Sequence, residues 1–303
     1  MSYFATILKL FGVPTGITLP VLNADLYSLG EEESAFFKSQ TGIADDEELK
    51  KHILTVQDKA YKVYPYPCIR RFAFTKLKIS RHPAYQQFLQ LGKTCERGVF
   101  LDIGCCVGND ARKAIADGYP MRNVIASDLR PEFWNLGHEL FKSTPQTFPV
   151  PFIPGNALES TLIGSTEPRY SPPSSPAPEL SSLTSLTPLL GRVSAIHASA
   201  FFHVFNEAEQ FQVAQRLGAL LSTEPGSVIF GSHEGRPESG TREYIPGVRM
   251  FCHSPESWRE LWEERIFKKG SVKVDAQLEQ VARSDLSSTS EVHYLLVWSV
   301  TRL

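Results

Sequence analysis

The chain has little net charge, few cysteines and no long apolar run, and each shortage closes a class of function. Its 31 Lys and Arg face 33 Asp and Glu, a formal charge of −2. That leaves no electrostatic case for wrapping nucleic acid or an anionic membrane. The five cysteines (Cys68, Cys95, Cys105, Cys106 and Cys252) are odd in number and form no C-x-x-C pair. Neither a disulfide framework nor a metal site is expected, and a reducing compartment, the cytoplasm, fits best. No apolar stretch approaches the ~20 residues that span a bilayer. The opening "MSYFATILKLFGVPTGITLP" lacks the basic start of a signal peptide. What remains is 303 residues, 42% of them hydrophobic, enough for one large α/β domain with an N-terminal extension.

Residues 1–45 read as turn-rich and irregular. An acid-rich start then opens a helix that carries Leu49, Ile53, Val56 and Ala60 on one face, with the acids complementing its N-terminal dipole. Prolines 65, 67 and 83 bound short helical pieces, the last from about Ala84 to Leu91. Residues 1–95 are expected to form a helical N-terminal cap or lid, and 96–303 the main domain. From Val99 the texture becomes strand–helix alternation, the mark of a mostly parallel sheet covered by helices. "VFLDIG", "NVIASDL", "FPVPFIPGNAL", "RVSAIHAS" and "GSVIFGSHE" are five strands, the third edge-like because of its prolines. "SPESWRELWEERIF" starts a helix with Ser254 as N-cap and Pro255 at its first position. "VKVDAQLEQV" and "SEVHYLLVWSV" alternate like an antiparallel C-terminal hairpin. The expected architecture is a seven-stranded, Rossmann-like sheet. About residues 164–190 the chain is Ser/Pro-rich, a mobile loop whose end has helical character.

The stretch that bears on chemistry is "VFLDIGCCVGNDARKAI", Val99 to Ile115. A strand–turn–helix with glycines offers close backbone approach to a ligand. A phosphate-binding P-loop would need Gly-Lys-Ser/Thr between strand and helix, which this turn lacks, and a dinucleotide turn would need G-x-G-x-x-G, which fails at Cys106 and Asn109. The remaining pattern is the acid-x-Gly-x-Gly-x-Gly turn of class I S-adenosylmethionine (SAM) methyltransferases, here Asp102, Gly104, Cys106 and Gly108, with cysteine at the middle glycine. A carboxylate at Asp102 suits the ammonium of SAM and would repel a pyrophosphate. Asp128 ends the second strand, where an acid accepts hydrogen bonds from ribose hydroxyls. Asn156 and Ala157 follow the third strand, where an amide oxygen and a backbone N–H suit adenine. Together, in order, these residues point to SAM as cofactor.

Other residues carry the substrate side. His197 and His203 flank "ASAFF" after strand four, next to the expected methyl position, and are the candidate catalytic groups. His233 after strand five and Arg249 in "IPGVRMFCHSP" are candidate substrate contacts, the arginine through a bidentate pair with a carboxylate. Tyr64, Tyr66, Arg70, Phe72 and Phe74 either fold over the cofactor as a lid or pack the N-terminal helices onto the sheet. Cys105 and Cys106 read as small fillers.

"YPYPCIRRFAF", "FLDIGCCVGNDARK", "DGYP", "SDLRPEFWNLGHELF", "IHASAFFHVFN" and "SWRELW" resemble the fungal secondary-metabolite methyltransferases of meroterpenoid pathways. The resemblance covers roughly residues 50–300, with the doubled cysteine and "FWNLG" as its specific marker. It implies a class I methyltransferase fold and a small lipophilic acid substrate converted to a methyl ester. A phenol O- or C-methylation of a polyketide, with His203 as base, is the alternative enzyme reading. A catalytically silent SAM-fold regulator that binds a partner is the alternative of another class. Whether the chain forms a homodimer stays open.

Overall fold

The computed structural model describes residues 20–94, 98–245, 248–282 and 292–303. The apolar opening and the boundary at 95/96 lie outside these residues. Seven strands form one sheet: β1 (Val99–Ile103), β2 (Val124–Asp128), β3 (Phe152–Pro154), β4 (Val193–His197), β5 (Val228–Gly235), β8 (Val272–Val281) and β9 (His293–Arg302). Their order is β3-β2-β1-β4-β5-β9-β8. The first five run parallel, while β9 pairs antiparallel with both β5 and β8. This is the expected class I methyltransferase topology, with the proline-weakened strand three at one edge. The strand order reverses beside β1 and β4, which opens a crevice at their carboxyl ends.

The helix that opens with acids runs as α2 (Asp46–Val63), after α1 (Glu31–Thr41). Helix α2 buries Leu49, Ile53, Val56 and Ala60, the face the periodicity gives. Helix α1 corrects the reading of residues 1–45 as irregular. Its buried positions include Glu33 and Thr41 beside Phe36 and Phe37, so its apolar stripe is too thin to stand out. Then follow α3 (Pro67–Arg70), α4 (Tyr85–Thr94), α5 (Asn109–Ala116), α6 (Pro131–Leu140), α7 (Glu207–Leu220) and α8 (Pro255–Glu260). Ser254 caps α8 by accepting the Ser257 N–H at 3.2 Å.

Two further departures concern connections. No helix joins β3 to β4. The Ser/Pro-rich stretch takes that place, with short 3₁₀ turns at Leu180–Ser182 and Thr187–Leu189. It is exposed over much of 171–179 but anchored at its ends, because Leu162, Ile163, Leu186 and Leu189 are buried in the core between the sheet and α7. Between β5 and α8 lies a two-stranded hairpin, β6 (Gly240–Ile245) and β7 (Val248–Cys252), for which the sequence reading gave no element.

The N-terminal helices pack directly on the cofactor-side turn. Phe72, Phe74, Ile69 and Tyr64 share one buried cluster with Val107, Phe133 and Phe141. Helix α6 presses on the same turn: a Cβ at Gly108 would meet the Trp134 ring at 2.6 Å, and one at Gly137 would run into the Val107 carbonyl. The "FWNLG" marker is therefore the face of α6 that rides on the doubled-cysteine turn.

Candidate active site

Strand β1 delivers its chain into the turn at Gly104 through backbone that side chains resist. Gly104, Cys106 and Gly108 all have positive φ, at 68°, 51° and 71°. For cysteine such a conformation is uncommon, which explains why glycine is the usual residue at the middle position. A Cβ at Gly104 would stand 2.6 Å from the Phe201 ring. Both outer glycines are thus required by conformation and by close approach.

The turn's amides are already committed. Gly104 and Cys105 donate to the Ser127 carbonyl at 2.8 and 3.2 Å, and Gly108 donates to Cys105 at 2.8 Å. Cys106 donates to Asp128 Oδ2 at 2.9 Å. Few N–H groups are left to make an anion nest, which disfavours a pyrophosphate. Asp128 also accepts the Arg130 N–H at 3.0 Å through Oδ1. Each of its oxygens keeps lone-pair capacity for a further donor, as a ribose diol requires. Burial, the leading cause, raises the Asp128 pKa.

Asn156 and Ala157 lie just past β3, one strand over from Asp128. Asn156 Oδ1 accepts the Leu158 N–H at 3.0 Å, fixing the side chain in a local turn with one lone pair to spare. Tyr66 comes close enough for the Asp128 charge to help raise its phenol pKa, behind the larger effect of burial. Arg130 stacks on the Tyr64 ring at 4.5 Å. The aromatic–basic stretch therefore packs as core, with Tyr64, Phe72 and Phe74 in one buried cluster and Tyr66 against it, and Tyr66 alone comes near the acid that ends β2.

Asp102 does not stand open in the crevice. It pairs in register with His197 across β1 and β4, and its Oδ1 meets His197 Nδ1 at 2.9 Å. Both side chains are buried. Asp102 Oδ2 is a buried oxygen with no hydrogen-bond partner among the described residues. His197 Nε2 in turn meets Ser199 Oγ at 2.8 Å. The His197 ring is enclosed and reaches outward through Ser199.

His233 is fully buried beside Phe202, Trp258 and Trp298. Trp298 Nε1 donates to its Nδ1 at 2.9 Å, so Nε2 carries the proton and has no acceptor among the described residues. Burial, with the neighbouring charges of His203 and His253, holds this imidazole well below the ordinary histidine range. His203 sits half-buried on the 3₁₀ turn Phe202–Val204.

Arg249 is exposed and stands opposite Glu243 on the outer face of the hairpin. The same alternation turns Arg242 inward, within reach of Glu234 and of His293 Nδ1 at 3.0 Å. The structure does not bring Arg249 together with the histidines, and its expected pairing with a substrate carboxylate loses its geometric basis. Sequence reading also missed Ser199, His82 and Asp110. The last is buried and accepts the Ile79 N–H at 3.1 Å. The Cys105 and Cys106 thiols are pushed far up by burial, as inert fillers would be. Among the described residues no cluster of three His, Cys, Asp or Glu could hold a metal, and no helix is long and apolar enough to cross a membrane.

Comparison with known proteins agrees with this geometry. Residues 22–75 match the model of the meroterpenoid methyltransferase N-terminal domain, the segment that carries α1, α2, Tyr64 and Tyr66. The chain is 30% identical over 258 residues to the Asnovolin E/Chermesin D methyltransferase nvfJ of Aspergillus novofumigatus, covering 84% of this chain and 83% of that protein. It is 33% identical over 230 residues to the O-methyltransferase phiE of a fungal species, covering 74% and 68%. It is 34% identical over 223 residues to the methyltransferase trt5 of Aspergillus terreus, covering 72% and 70%. The turn without a phosphate nest, the acid at the end of β2 and these likenesses converge: the chain belongs to the fungal meroterpenoid methyltransferases, and it is a SAM-dependent methyltransferase of secondary metabolism.

Proposed function

We propose that this enzyme O-methylates the carboxylate of a small lipophilic acid, giving its methyl ester. SAM supplies a methyl group on a positively charged sulfur. In this reading Asp128 accepts from the ribose hydroxyls, Asn156 and Ala157 hold the adenine, and Asp102 lies under the ammonium. Gly104, Cys106 and Gly108 let the methionine part pass close to the backbone.

His233 carries the choice of nucleophile. Its Nδ1 already accepts from Trp298, and its Nε2–H is a buried donor awaiting an acceptor. A phenol must lose a proton during methylation, and a ring so occupied is poorly suited to take it. A carboxylate is ionised near neutral pH and needs only donors and alignment. Phe202, Trp258 and Trp298 surround that donor as buried core residues. His203 then serves as a polar neighbour to the substrate, with no essential proton transfer. The test is to incubate the enzyme with labelled SAM and a panel of prenylated aromatic acids, and to locate the methyl by mass spectrometry. A methyl on a phenol oxygen or ring carbon refutes the proposal.

A further inference from the structure

We propose that Ser199, oriented by Asp102 through His197, is the hydroxyl that grips the substrate's carboxyl group. This rests on the acid-substrate reading above. The supporting chain is short: Asp102 Oδ1 to His197 Nδ1 at 2.9 Å, His197 Nε2 to Ser199 Oγ at 2.8 Å, and the Ser232 N–H to the same Oγ at 3.3 Å.

Counting bonds shows what the hydroxyl must do. A serine oxygen has two lone pairs and one proton. When His197 is protonated, both its ring nitrogens donate, one to Asp102 and one to Ser199. The Ser232 amide fills the second lone pair of Ser199. The hydroxyl proton is then left without a protein acceptor and is free for an anionic ligand. When His197 is neutral with its proton on Nδ1, the Ser199 proton turns inward to Nε2, and the grip is lost. The ring's surroundings favour the first state. Burial opposes the charge, as does Lys78, but the bond and charge of Asp102, with the charge of Asp110, outweigh them and raise the His197 pKa. His82, a further titratable group on this side, is itself held down by burial to about 4 and stays neutral.

The site is braced. Ala200 takes a positive φ of 53° and donates its N–H to the Ser232 carbonyl at 2.6 Å. Ser199 and Ser232 thus hold each other across two segments. Gly231 permits this approach, because a Cβ there would stand 2.6 Å from the Ala198 carbonyl. Ser199 itself is half-buried, two residues past β4 at the strand ends and one residue from the Ala200–Phe201 pair that leans on Gly104. In the transfer the substrate oxygen forms the new C–O bond while the sulfonium C–S bond breaks and its electron pair leaves with sulfur. No proton moves. Ser199 therefore acts by binding and aligning the acid, and His197 and Asp102 act as positioning residues.

The experiment compares wild type with Ser199→Ala and Ser199→Thr, using an acid that wild type converts. Removing one hydrogen bond to a charged group should lower kcat/KM about 10–100-fold, mostly through KM, while SAM affinity by calorimetry stays within about threefold. Ser199→Thr keeps the hydroxyl and should recover most of the loss. Wild-type kcat/KM should fall as pH rises through the His197 titration, and that limb should vanish in Ser199→Ala. Unchanged kcat/KM in Ser199→Ala, with the product still a methyl ester, overturns this inference and leaves the proposed function standing. A methyl found elsewhere on the wild-type product overturns the proposed function instead, and the inference with it.

Discussion

Replacing Asp128 by alanine tests the cofactor side most directly, because the carboxylate has two jobs that can be measured apart. Toward the ligand it would accept from the two ribose hydroxyls. Hydrogen bonds to a charged acceptor contribute about 1.5–3 kcal/mol each and are not additive, so the loss should be about 2–4 kcal/mol. That corresponds to roughly 30–1000-fold in Kd. Toward the protein it accepts the Cys106 and Arg130 amides. Losing an acceptor for these N–H groups costs about 1–3 kcal/mol where water cannot replace it. Asp128→Ala should therefore also lower the melting temperature of the ligand-free protein by several degrees. Asp128→Asn keeps one oxygen and should fall between the two in both assays. Calorimetric titration with SAM and its demethylated product reads the first effect, and thermal unfolding reads the second. Because burial raises the Asp128 pKa, SAM affinity should also decline as pH falls, starting above the ordinary carboxylate range. An alanine variant that binds SAM as tightly as wild type would refute the assignment of the β2 acid to ribose.

Three further outcomes follow from geometry. Gly137→Ala places a methyl against the Val107 carbonyl, and pushing α6 off the turn should cost about 1–3 kcal/mol; an unchanged melting temperature would show that the helix shifts freely. Arg249→Ala should change kcat/KM less than about threefold, since surface side chains of this kind contribute little; a large rise in KM would restore the arginine to the substrate site. His203→Gln should lower turnover less than tenfold and leave activity intact toward pH 6, whereas loss of a general base costs about 10²–10⁴.

How much was legible depended on whether the cause was local. Asp102 and Asp128 could be placed because each closes a strand whose apolar run is continuous and buried, and Gly104 and Gly108 because they follow the first of these in a turn; Asn156 follows the weaker edge strand. Ser254 and Pro255 announced α8 by capping chemistry alone. The β6–β7 hairpin carried weaker marks, because Arg242, Glu243 and Arg249 interrupt its apolar pattern. Alternation from that hairpin would have set Arg242 inward and Arg249 outward. Nothing local could give the Asp102–His197 pair. The two residues lie 95 apart in sequence and meet because β1 and β4 are neighbours in one register. Ser199 was legible only once that pair was known, since a lone serine after a strand is ordinary.

That long-range pairing also has a consequence for how the site works. Asp102 is the last acid before the cofactor turn and, by the inference drawn above, the first member of the chain that aims Ser199. In the proposed reading, a substitution at Asp102 would remove an acceptor for the cofactor's ammonium and let His197 lose its proton, turning the Ser199 hydroxyl inward. The two faces of the site therefore share one buried carboxylate. His233 is built on the other principle. Its tautomer is fixed by Trp298 from β9 and its charge state by burial, so its donor should persist across the pH range in which Ser199 changes direction. A substrate acid gripped by both groups would be held by one donor that titrates and one that does not, and only the first would give affinity a dependence on pH.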